Sequence, residues 1–407
     1  MNDIAIYTLT SELHDEQAVN AATREFLNSL NTDFTFHGSD YSDYGQHALN
    51  LIYVRTGGTE CVLKPLLPAI LAATPQPLYL LTSGKSNSLA ASMEILSYLQ
   101  QHDIHGEIIH GSAEYIHNRI AILAEVERAK RQLRGKRLGV IGRPSDWLIS
   151  SNADYEAVAE RLGMHIIDIP MKEVKAVYDA TPDSDDDAIL HGAANDAATP
   201  IYNKVSTAMS GAMRIYHAIK AVAERHNLDG LTIRCFDLLT AVHNTGCIAL
   251  AKLNSEGIIA GCEGDVPAML SMAITQAVTG VSGFQANPAR INPETGELLF
   301  AHCTIPFNML QRYELDTHFE SGEGIGIRGY MREGDVTIFK VSGDLSRHFV
   351  AEATLVCSQG EPDLCRTQQV LQLDVPEQAR YFLTSPIGNH HIIMPGHHKA
   401  ILDAIMA

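Results

Sequence analysis

The chain has 407 residues, 45% of them hydrophobic and 19% charged, with a formal net charge of −18. That length accommodates two or three domains with cores of their own, and the acidic balance argues against a nucleic-acid partner or an anionic membrane surface. No apolar run approaches the roughly 18 residues a membrane span needs, so no membrane partner is expected.

The opening stretch, MNDIAIYTLTSELHDEQ, carries acids where a secretory leader needs basic residues ahead of an apolar core. Seven scattered cysteines without a CxxC pair fit a reduced, cytoplasmic chain better than a disulfide scaffold. Residues 4–9, 48–54 and 78–82 read as strands, and helical spacing runs through 16–30. The second and third strands run into Gly-containing loops, Thr56-Gly57-Gly58-Thr59-Glu60 and Ser83-Gly84-Lys85-Ser86. The latter lacks the upstream glycine of a nucleotide-binding loop and is read as a tight turn. A long charged helix over 115–134 leads to a new strand, LGVIG, which opens a second α/β segment. Asp183 to Asp187 is a charge run, read as a solvated turn. Helices follow over 206–227 and 246–254, with strands at 231–233 and 258–261. After about residue 298 glycine-punctuated strands take over, at 297–302, 325–330, 335–341 and 368–373.

The expected fold class is α/β, with Rossmann-like parallel-sheet N-terminal and central domains and a β-barrel-like C-terminal domain. The expected boundaries are 1–134, 135–297 (carrying the acidic site residues) and 298–407.

The chemistry centres on Cys262-Glu263-Gly264-Asp265, two carboxylates at the end of a buried-looking strand with a helical pattern behind them. Asp265 is also well placed simply to cap that helix, with Pro267 in its first turn. Other candidates are Asp237, His302, His318 and the run Gly388-Asn389-His390-His391. Imidazole with carboxylate suits a borderline divalent ion such as Mn²⁺, Co²⁺ or Fe²⁺, or Mg²⁺ where water fills the shell. No local ligand motif such as HExxH accompanies them. Cys235, Cys262 and Cys303 read as small packing residues beside the site.

These pieces, with Thr56-Gly57-Gly58-Thr59-Glu60, Arg234-Cys235-Phe236, Ala301-His302-Cys303 and Cys365-Arg366-Thr367-Gln368, give the chain a resemblance to the L-fucose isomerase and L-arabinose isomerase superfamily. They span nearly the whole chain, and the nearest likeness is to its short L-fucose isomerase-like members. The resemblance implies a Mn²⁺-dependent sugar ketol-isomerase with α/β N-terminal domains and a C-terminal β-barrel, assembled as a homo-oligomer, a trimer or hexamer. It implies interconversion of an aldose and a ketose through a cis-enediol, on a small sugar such as a pentose or a 6-deoxyhexose.

Carried over residue by residue, the arabinose isomerase pattern matches Glu263, His302 and His391, while its second glutamate falls near Ala286-Asn287, where this chain has no acid. The fucose isomerase pattern matches Asp265 and His390, and Asp237 stands roughly where that family has a glutamate, one methylene short. The resemblance therefore implies Glu263, Asp265 and His390 as metal ligands and Glu263 with Asp237 as the proton-transferring pair. His302, His391, Arg366 and Arg234 are its substrate contacts, although a salt bridge explains the arginines equally well. The alternatives are a non-catalytic sugar-binding descendant, or a metal-dependent epimerase or lyase acting on a related sugar.

Overall fold

The structure is a computed structural model that describes residues 3–184 and 188–407. Asp185 to Asp187 of the charge run lie outside the described residues. The chain divides into two compact units, Met1–Arg128 and Ala129–Ala407.

The first unit is a parallel sheet of five strands in the order Thr35–Gly38, Ile4–Leu9, Leu49–Val54, Leu78–Thr82 and Gly106–Ile109. Its inner strands are buried along their whole length because helices cover both faces. Alternation sends Ile4, Ile6, Leu49 and Leu51 into one core, and Ala5, Tyr7, Ile52 and Val54 into the other.

The second unit opens on a parallel sheet of four strands, His165–Ile169, Arg137–Ile141, Gly230–Ile233 and Ile259–Gly261. The long helix Pro200–Arg225 starts from a Thr199 cap with proline at its first position and buries an apolar stripe beside this sheet. The chain then closes a six-stranded antiparallel barrel in the order Phe284–Ile291, Glu297–His302, Thr367–Leu373, His348–Gln359, Gly334–Val341 and His391–Pro395. The strand foreseen at 325–330 pairs instead with Leu310–Asp316 in a separate two-stranded ribbon. Sheet and barrel are joined through the helix Val266–Thr279, which packs on both. It is buried nearly all round, as a helix with apolar residues on every face must be.

The α/β class with a barrel is as expected. Phe284–Ile291 and His391–Pro395 were not foreseen as strands. The first contains Pro288 and a register shift between Pro288 and Arg290, which breaks the period-two pattern.

Candidate functional site

Strand Ile259–Gly261 ends in the turn that carries Glu263. This residue adopts a left-handed conformation, φ 63°, which is unusual and costly for a side chain with a Cβ. The turn is fixed at three points. Ser145 N–H donates to Glu263 O at 2.9 Å, Gly264 N–H to Ile233 O at 2.9 Å, and Asp265 N–H to Cys262 O at 3.2 Å. Gly264, at φ 71°, passes so close to the backbone that a Cβ would lie 2.4 Å from Arg143 O. Asp265 then caps the buried helix, its Oδ1 accepting from Ala268 N–H at 2.8 Å.

Three side chains from distant segments converge here: Glu263 from the sheet, His302 from the end of Glu297–His302, and His390 from just ahead of His391–Pro395. Glu263 Oε1 lies 3.5 Å from His390 Nε2 and 3.9 Å from His302 Nε2. All three residues are buried. His390 Nδ1–H bonds Asp265 Oδ2 at 2.9 Å, and His302 Nδ1 bonds Thr304 Oγ1 at 2.9 Å, so both imidazoles turn Nε2 toward the carboxylate. His390 Nε2 is buried with no hydrogen-bond partner. Two imidazole nitrogens and a carboxylate oxygen, one nitrogen orphaned, form a donor set that fits a borderline divalent cation. The Asp265–His390 bond is the usual outer support of a metal-binding histidine. Trp147 Nε1–H donates to the other Glu263 oxygen at 2.7 Å.

Burial works to raise the Glu263 carboxyl, but the adjacent His302 and His390 outweigh it and hold the group well below the usual range. Burial likewise works against Asp265, which Lys340 and His390 bring down to about 2. His390 is desolvated too, yet Asp265 and Glu263 push it up to about 9. His302 is lowered, chiefly by burial. Lys340 Nζ stands 3.5 Å from Asp265 Oδ2, and the two side chains are 1% and 0% exposed. Burial lowers this lysine against the pull of Asp265.

A cavity of about 490 Å³, counting its open mouth, lies over Glu263 and His302. His318, Glu320 and Asn287 also line it. Burial, with His302 and Arg366 nearby, lowers His318 to about 4; burial and the Glu263 charge raise Glu320. Asn287 Oδ1 is buried without a partner. Cys235, Cys247, Cys262, Cys303 and Cys365 form much of the remaining wall. Burial raises Cys247, and the Cys235 contact with burial raises Cys262; thiols held protonated in this way are poor nucleophiles.

The other expected residues stand elsewhere. Asp265 stands behind His390, bonded to its Nδ1, and is not one of the three converging groups. Asp237 is half-exposed, pairs with Arg234 Nε at 3.0 Å and is not part of the cavity wall. Arg234 also bonds Asp146 at 2.7 Å and Pro144 O at 2.8 Å, holding the loop that presents Trp147. Arg366 is committed to Thr317 O at 2.8 Å and Asp316 at 3.4 Å. His391 faces an aromatic cluster with Phe300, Phe349 and Tyr381, both ring nitrogens used, Nδ1 on Asn389 O and Nε2 on Tyr381 OH. Successive residues at a strand start point to opposite sides, which is why His390 and His391 part company. Sequence reading missed Trp147, Glu320, Asn287 and Lys340; only the apolar strand around Lys340, interrupted by one charge, carried a signal.

An α/β sheet is fused to a β-barrel, and a buried imidazole–carboxylate cluster lies against a cavity with room for a small molecule. No family model matches the chain. Its sequence is similar to proteins named sulfoquinovose isomerase. The one from Alkalicoccus urumqiensis is 22% identical over 232 residues, 56% of this chain and 52% of that protein. The one from Priestia megaterium is 21% identical over 264 residues, 63% and 59%. A Clostridium sp. protein is 30% identical over 112 residues, 27% and 25%. The matched stretches thus span between a quarter and three fifths of these curated relatives. They support kinship with sugar isomerases. Among the described residues no helix is long and apolar enough to cross a membrane.

Proposed function

We propose that the chain is a divalent-cation-dependent aldose–ketose isomerase of the L-fucose and L-arabinose isomerase type, acting on an uncharged sugar. The observation that carries this is the convergence of Glu263, His302 and His390 with the His390 Nε2 unpartnered. These three would hold the ion, Mn²⁺ in the first instance or Co²⁺, Fe²⁺ or Mg²⁺. Bound there, it would polarise the sugar carbonyl and acidify the neighbouring hydroxyl.

The protein's own part follows from the cavity. Trp147 and Asp265 fix the orientation of Glu263 and His390. Of the described acids only Glu263 and Glu320 line the cavity, so Glu320 replaces Asp237 as partner to Glu263 in moving a proton between C2 and C1. Burial and the Glu263 charge raise its carboxyl, the direction that favours returning a proton. Asn287 Oδ1 and His318 offer hydrogen bonds to sugar hydroxyls. Phe236, Leu239 and the thiols limit water.

The described lining residues include two glutamates and no lysine or arginine, which favours a neutral pentose or 6-deoxyhexose. The names of the similar proteins favour a second reading, a sulfonated sugar. The test is proton NMR in D₂O with Mn²⁺-loaded protein and L-fucose, L-arabinose or sulfoquinovose. Exchange of the C2 hydrogen and ketose formation from a neutral sugar, falling about 10²- to 10⁴-fold in Glu320→Gln, are expected. Turnover of sulfoquinovose alone overturns the substrate class. Sugar binding without exchange overturns the isomerase reading.

A further inference from the structure

We propose that His37, Asp43 and His47 form a second divalent-cation site, of the zinc class, within the first compact unit. It is independent of the proposed reaction. His37 lies on the edge strand Thr35–Gly38, and Asp43 and His47 on the loop that returns to the sheet. Both imidazoles converge on one carboxylate oxygen: Asp43 Oδ2 is 3.3 Å from His37 Nδ1 and 3.4 Å from His47 Nε2.

Those distances are informative. A charge-assisted N–H···O bond at its optimum is about 2.7–2.9 Å, and both of these contacts are longer. Donors about 2.0–2.1 Å from a tetrahedral ion stand about 3.3 Å apart, which matches the two N···O spacings here.

His47 and Asp43 are held from behind as metal ligands are, while His37 Nε2 is buried without a hydrogen-bond partner. His47 Nδ1 bonds Asp3 Oδ1 at 2.6 Å, which leaves the Nε2 lone pair facing Asp43 when the ring is neutral. Asp3 is itself held, its Oδ2 accepting from Ala48 N–H at 2.9 Å. Tyr7 OH donates to Asp43 Oδ1 at 3.1 Å and leaves Oδ2 for the ion. Carboxylate behind histidine, and a hydroxyl behind a ligating carboxylate, are the supports that orient metal ligands. Tyr7 stacks on His37 with centroids 5.0 Å apart at 16°, and Tyr41 and Tyr44 pack on Tyr7. The floor of the site is therefore aromatic, while the ligands themselves stay partly open to solvent. Three protein donors leave a fourth position for water or a small anion. An ion here would pin the loop between the two strands to the sheet edge and to the start of the first strand.

The experiment is calorimetric Zn²⁺ titration of the full, tag-free, metal-stripped chain, with Co²⁺ absorption as a second readout. Wild type is expected to bind two equivalents, and His302→Ala/His390→Ala one. In that double-variant background Co²⁺ should give the intense visible bands of four-coordination. His37→Ala should remove the remaining equivalent, and Asp3→Asn, which keeps all three donors, should weaken it about 10- to 100-fold. Absence of a Zn²⁺ equivalent in the double variant overturns the proposal, as does binding unchanged by Asp3→Asn and His37→Ala. If His37→Ala fails to fold by circular dichroism, Asp3→Asn decides.

Discussion

Replacing Asp265 with asparagine should destabilise the second unit by an amount that shrinks as the pH rises. Asparagine keeps the helix cap, since it caps about as well as aspartate, so the change isolates the charge. Lys340 then has no counter-charge in a position where its side chain is 1% exposed. It must either stay charged in the core or give up its proton. The second route caps the cost at about 1.4 kcal/mol for each pH unit below the ordinary lysine value. That is about 5 kcal/mol at pH 7 and about 2 kcal/mol at pH 9. Breaking a buried pair from one side commonly costs about 3–5 kcal/mol, the same range. The proton on His390, which Asp265 helps to hold, moves the result in the same direction, because it is already leaving by pH 9. The assay is urea unfolding of metal-free protein at the two pH values, read by the fluorescence of Trp147, the single tryptophan. Adding Lys340→Met should restore most of the loss. A penalty below about 1 kcal/mol at pH 7, equal penalties at pH 7 and 9, or no relief from Lys340→Met would each refute the reasoning.

In the metal-free chain the raised His390 contributes stability that is whole below about pH 6.5 and is lost as the pH climbs through about 9, up to about 3 kcal/mol by linkage. Asp265 works the other way: its contribution is present above pH 3.8 and is lost as the pH falls through about 2. Thermal melts across pH 6–10 should therefore slope downward without metal and flatten with Mn²⁺. Mn²⁺ affinity by calorimetry should rise about tenfold per pH unit between 7 and 9, because binding displaces one proton from His390. Trp147→Phe removes the N–H that orients Glu263 and should weaken Mn²⁺ about 10- to 100-fold with little change in the melt. Gly264→Ala, forced into φ 71° and against Arg143 O, should cost about 3 kcal/mol or more in urea unfolding.

Much of the frame was legible in sequence because its signals are local. Alternating apolar runs and helical spacing foretold strands such as Gly334–Val341, expected at 335–341, and the helix Val266–Thr279. Glu263 and Asp265 stood out because two acids closed an apolar strand. The division of labour between them was not legible. Whether an acid faces the cavity or stands behind a histidine depends on a left-handed turn at Glu263, and no spacing rule encodes that turn. The same limit applied to His390 and His391, adjacent in sequence and separated only by strand alternation. Trp147 and Glu320 sit on loops, and tertiary closure alone brings them to the site.

The buried charges explain why these groups can be assembled at all. Glu263, Asp265, Lys340 and protonated His390 sum to zero, so the metal-free cluster is neutral in a dry interior where an unmatched charge would be expensive. A divalent ion in place of the His390 proton would leave one positive charge in excess. In the proposed reaction a sugar losing a proton in that cavity, or Glu320 in its ionised form, would restore neutrality. On this count Lys340 sets the resting charge of the cluster without touching the cavity. Removing it together with the Asp265 charge should leave the fold nearly intact, while removing either alone should not.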